Sequence, residues 1–158
     1  MLTTLAIEGY RSIRSLVLPL SPLTVVTGAN GSGKSSLYRS LRLLGAAARE
    51  GAIRALAAEG GFPGTLWAGP EAGAPTSGPV QGTVRKGPIA LRLGFGSDAA
   101  GFGYAMDLGI PIPATTMFWA DPEIKAEAVW GGSVLRNGSL VCERRGAIYR
   151  VRTDAGWQ

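Results

Sequence analysis

The apolar positions of this chain follow two periods, and the change from one to the other divides it. At the start, "LTTLAIEG" alternates apolar and polar residues and ends in glycine, which predicts a strand of about six residues. After the turn-like "YRSIR", the run "SLVLPL" predicts a second strand, so the two make a hairpin. Next, "LTVVTG" is a short β-branched run without alternation, the pattern of a strand buried on both faces. Leu37, Leu41 and Leu44 then recur at helical spacing with Arg39 and Arg42 between them, so a helix opens near Lys34 and packs one face on the sheet. "AAAREGAIRALAAE" stays helical in composition with Gly51 as its weak point, which predicts one kinked helix or two.

Residues 60–79 hold six Gly and four Pro, so this stretch predicts a loop, with Trp67 as the one large apolar side chain to pin it. From Val80 onward the period becomes two. Ile89, Leu91, Leu93 and Phe95 alternate with small or charged residues, and Phe102, Tyr104, Met106 and Leu108 do the same. "EIKAEAVWG", "SLVCERR" and "AIYRVRT" follow, separated by glycine turns, with Asn137-Gly138 as the clearest hairpin signal. The expected organisation is one domain over 1–158, with strands, glycine loop and helix in 1–59, a loop in 60–79 and an antiparallel β subdomain in 80–158.

Composition narrows the chemistry. The chain has 158 residues, 46% hydrophobic and 17% charged, which suits one folded domain. With no histidine, a Ser-His-Asp triad and any histidine-ligated metal are excluded within it. The single cysteine, Cys142, can form neither an internal disulfide nor a zinc cluster, and it reads as a small strand residue. No apolar run approaches the roughly 20 residues of a membrane helix and no signal peptide is visible, so the expected address is the cytoplasm, with no membrane partner. The net charge of +5 and the arginines Arg136, Arg144, Arg145, Arg150 and Arg152 suit either an anionic partner or a solvated sheet face.

The stretch that carries chemistry is "GANGSGKS", residues 28–35, which fits G-x-x-x-x-G-K-[ST] without a mismatch. Gly28, Gly31 and Gly33 let the backbone curl so that successive N–H groups point inward as an anion cradle, to which Ala29, Asn30 and Ser32 contribute mainly backbone. Lys34 would reach the β and γ phosphates, and so is the candidate catalytic residue. The Ser35 hydroxyl would ligate Mg²⁺, and Ser36 would add a hydroxyl near the α phosphate. A buried-strand pattern precedes the loop and a helical pattern follows it, as the mechanism requires; the expected ligands are ATP or ADP with Mg²⁺.

The order "LAIEGYRSIRSLVLPLSPLTVVTGANGSGKSSL" resembles the amino-terminal segment of the RecF and SMC-like branch of ABC-type ATPases, including AAA family ATPases of that branch. Tyr10, Arg11 and Ser12 match the family's aromatic-basic-Ser turn, Leu23 to Thr27 its third strand, and Gly28 to Ser35 its loop. The resemblance is specific over about the first 45 residues. It implies an α/β fold of α+β character: the amino-terminal lobe of a P-loop NTPase, with a strand–P-loop–helix core and an antiparallel meander. It also implies that Arg11 and Ser12 lie along the nucleotide, and it brings in DNA and a second copy of the head as partners.

The family's later parts are not found in these 158 residues. No apolar strand ends in Asp-Glu, no L-S-G-G signature occurs, and Asp107 in "GFGYAMDLG" belongs to the meander pattern. The expectation is a lobe that stops before the Walker B strand, lacking its carboxy-terminal half. Three functions follow: an ATP-binding ATPase head, a non-catalytic nucleotide-binding or interaction module, or another P-loop phosphotransferase. The β-rich second half and the absence of N-K-x-D weigh against the third.

Overall fold

In the computed structural model, β1 (Leu2–Tyr10) and β2 (Ile13–Pro19) form an antiparallel hairpin with Ile7 opposite Leu16. The structure describes residues 1–67, 69, 90–98, 100–110 and 121–158. Three helices follow: α1 (Lys34–Glu50), α2 (Ala52–Ala58) and the short α3 (Gly61–Thr65). Gly51, at φ 88, turns the chain between α1 and α2, so the predicted weak point makes two helices. Its N–H closes α1 on the Ala47 carbonyl at 3.0 Å.

The period-two region supplies β3 (Ala90–Ser97), β4 (Phe102–Gly109), β5 (Glu123–Gly131), β6 (Leu140–Arg145), β7 (Ile148–Thr153) and β8 (Gly156–Trp157). All neighbours are antiparallel, in the order β2-β1-β3-β4-β5-β6-β7-β8. Because β3 pairs with β1, the meander and the amino-terminal hairpin are one continuous sheet rather than two parts in contact. Alternation then puts Leu5, Ile7, Leu91, Leu93, Met106 and Leu108 on one face, all buried, with Ile7 level with Leu93 and Leu93 with Met106.

Against that face lie Leu43 and Leu44 of α1, Ala55 and Leu56 of α2, and Phe62 of α3. Each large side chain contributes about 1.5–3 kcal/mol of transfer free energy. The helical face of α1 is rotated slightly from the expected one: Leu44 is buried and Leu37 partly so, but Leu43 takes the deep position and Leu41 is exposed.

Two further expectations are corrected. The predicted strand over Leu23–Thr27 is not formed: those residues have no strand pairing, and Leu23, Val25 and Val26 are 81%, 74% and 46% exposed. A strand meant to be buried on both faces needs a neighbour on each side, and among the described residues none pairs with it. The strand–P-loop–helix core is therefore present only from the loop onward. Asn137-Gly138 is not a tight two-residue hairpin either, since Gly138 lacks positive φ and the β5–β6 connection spans residues 132–139. The tight turn falls instead at Gly146-Ala147, with Gly146 at φ 58.

Within the predicted loop, residues 61–65 are helical, and the Trp67 backbone N–H donates to the Gly9 carbonyl at 2.7 Å. The expectations for residues 70–89 lie outside the described residues. Asp107 is on β4, ion-paired to Arg92 at 3.0 Å, and Cys142 is a half-buried free thiol on β6. Among the described residues, no helix is long and apolar enough to cross a membrane.

Candidate nucleotide-binding loop

The loop forms because glycine stands where the backbone must turn left-handed. Gly31 has φ 82 and Gly33 φ 97, values that cost an L side chain about 1–2 kcal/mol. Gly33 is also the N-cap of α1, and its carbonyl accepts the Leu37 N–H at 3.0 Å. No side chain caps this helix and no acidic residue sits in its first turn, so its free N–H groups and positive dipole end carry no protein anion. That combination suits an incoming phosphate.

Lys34 curls back over the loop, donating from Nζ to the carbonyls of Gly28 at 2.5 Å and Ala29 at 2.7 Å. Its ammonium thus stands on the backbone turn that would hold phosphate. Ser35 is exposed and makes no side-chain hydrogen bond among the described residues, leaving its hydroxyl oxygen available to a cation. No cluster of three or more metal-ligating side chains occurs among the described residues. Ser35 is the side chain at this loop that would hold a magnesium ion, with the remaining donors coming from a bound nucleotide or water. Lys34, Ser35, Tyr38, Arg39 and Arg42 line an open hollow of ≈500 Å³ alongside. A groove of ≈450 Å³ on the sheet, floored by Ala6, Gly94 and Ala105, shares no residue with the loop.

The remaining candidates divide. Ser12 is brought to the loop: its Oγ lies 2.7 Å from Ser36 Oγ, and a Cβ on Gly33 would stand 3.3 Å from it. Ser36 is buried in that contact, so its hydroxyl is held by protein at the base of α1. Arg11 is committed elsewhere. Its guanidinium pairs with the Glu59 carboxylate at 2.8 Å, donates to the Glu59 carbonyl at 2.9 Å, and lies beside the Tyr10 ring. These contacts, the Tyr10 hydrogen bond first, raise its pKa above the ordinary arginine value, so the charge is permanent. Glu59 was not singled out by sequence reasoning, because nothing local marks an acid whose partner lies 48 residues away.

The AAA domain family model matches residues 4–45, which contain the hairpin, the loop and the start of α1. An OLD nuclease of Thermus scotoductus (strain ATCC 700910 / SA-01) is 39% identical over 44 residues, 28% of this chain and 8% of that protein. The chain thus matches less than a tenth of the length of that curated relative. No solved structure matches.

Proposed function

We propose that this chain, whose residues 4–45 match the AAA domain family model, binds ATP or ADP with Mg²⁺ through residues 28–35 as part of a RecF/SMC-like P-loop ATPase head. The observation that carries the reading is the glycine-turned loop opening an uncapped, acid-free helix, with Lys34 held directly over it. Backbone N–H groups would receive the phosphate oxygens, Lys34 would neutralise the β and γ phosphates, and Ser35 would ligate Mg²⁺. Held there, the metal would neutralise charge on the phosphoryl oxygens. Ser12 and Ser36 lie behind the loop and support it from within.

Hydrolysis asks for a carboxylate that orients the attacking water, and no strand ending in Asp-Glu is found in these residues. Positioning without that group supports binding without turnover, which favours a non-catalytic nucleotide-binding module as the second reading. DNA and a second copy of the head come from the family resemblance and belong to the proposal only at that level.

Titration with a fluorescent ATP analogue, with and without Mg²⁺, tests the reading. Binding is expected for the parent and a loss of tenfold or more for Lys34→Ala, with negligible ATP turnover in both. Equal affinity of the two proteins overturns the site; turnover that Lys34→Ala abolishes overturns the non-catalytic reading.

A further inference from the structure

The turn between β1 and β2 is fastened at both ends. On one side Arg11 reaches Glu59 at the C-terminus of α2, and the Tyr10 hydroxyl, on a fully buried ring, donates to the same carboxylate at 3.3 Å. The Arg11 N–H donates to the Thr65 carbonyl at 2.8 Å, and Tyr10 bridges to Leu66. On the other side, Ser12 meets Ser36 in the first turn of α1 and packs beside Gly33. Arg11 has φ 48, a left-handed conformation that a non-glycine residue holds only when its surroundings impose it.

The imposing contacts are the ones to α2 and α3, and the residue that follows is the one that touches the phosphate loop. The Arg11–Glu59 pair is mostly removed from water, with side chains 24% and 18% exposed, so its geometry is enforced more strongly than that of a surface pair. Resting on the nucleotide-binding reading above, we infer that Glu59 is a positioning residue for the phosphate loop, acting through Arg11 and Ser12. The carboxylate fixes the strained turn, the turn fixes the Ser12 hydroxyl, and that hydroxyl sets Ser36 and Gly33 where the loop becomes α1. Arg11 on this account serves the site from behind instead of contacting the nucleotide.

The test compares parent, Lys34→Ala, Glu59→Gln, Glu59→Ala and Ser12→Ala with the fluorescent ATP analogue and Mg²⁺, well below the melting transition of each. Glu59→Ala is expected to weaken binding by roughly tenfold, the scale of one charge-assisted hydrogen bond. Glu59→Gln, which keeps the shape and an acceptor oxygen, should fall between Glu59→Ala and the parent. Glu59→Ala combined with Ser12→Ala should lose little more than the larger single loss, because the two act along one chain of contacts. Amide hydrogen exchange across residues 28–36 should quicken in Glu59→Ala without any ligand.

Unchanged exchange there overturns the inference whatever the ligand does. So does parental affinity in Glu59→Ala when Lys34→Ala has lost it, or losses from Glu59 and Ser12 that simply multiply. If Lys34→Ala binds as the parent does while exchange still quickens, the nucleotide reading fails and the support of the loop by Glu59 stands.

Discussion

The two flanks of the phosphate loop have nearly the same apolar content and opposite fates. On the carboxy-terminal side, Leu43 and Leu44 are buried in the core on α1, which packs on β1, β3 and α2, and Ser36 is held by Ser12. On the amino-terminal side, Leu23, Val25 and Val26 are exposed and unpaired. Apolar sequence alone therefore does not decide burial. A helix satisfies its own backbone and needs only one apolar face covered, whereas a strand needs neighbours for its hydrogen bonds before its side chains can pack. The loop joins a packed flank to an exposed one.

The sharpest test of that contrast is a pair of truncations. Leu43→Ala should cost about 2–5 kcal/mol of unfolding free energy, whereas Leu23→Ala should stay within roughly 0.5 kcal/mol, both read by denaturant titration. Comparable losses would mean that the amino-terminal flank packs in solution.

A smaller effect is expected at the loop. Gly33→Ala should cost about 1–2 kcal/mol from its positive φ, together with crowding of Ser12 Oγ, and Gly31→Ala only the backbone part, since nothing lies within 4 Å of a Cβ there. Equal costs would show that Ser12 does not press on the loop.

The smallest effect is a pH dependence of the clamp. Burial holds the Tyr10 phenol above its ordinary value, against the hydrogen bond from Arg11 that lowers it and with the Glu59 charge that raises it. Above about pH 10 the unfolded chain has lost a proton that the folded one keeps, so stability falls as pH rises from there through the folded value. Tyr10→Phe should make that alkaline limb shallower in melting experiments, leaving the part due to Tyr104, which burial pushes up to about 12; an unchanged slope would place the titration elsewhere.

The sequence was most legible where a repeating period and a fixed spacing acted together. "EIKAEAVWG" is β5 residue for residue, because alternation and a glycine turn bound it on local grounds. The loop was equally plain, since glycine at its turns and lysine at its end follow from local geometry. What could not be seen depends on partners distant in sequence. The run at Leu23–Thr27 has the composition of a central strand, but composition does not supply neighbours. Arg11 reads as the basic residue of a turn that the resemblance places along the nucleotide, and only the return of α2 brings Glu59 to it. Leu43 against Leu41 was a matter of how far α1 is rotated on its axis, which depends on the shape of the sheet beneath it.

The lysine folded onto its own loop has a consequence for affinity. Two carbonyl dipoles already solvate the Lys34 ammonium, so an arriving phosphate competes with oxygens of the same chain for that charge. What Lys34 would add to phosphate binding is then the difference between two good sites for one cation. Methods that detect only tight complexes would under-report such an exchange, and added salt would weaken its phosphate side more than its carbonyl side, since screening acts on the pairing of two charges and little on a charge touching a dipole.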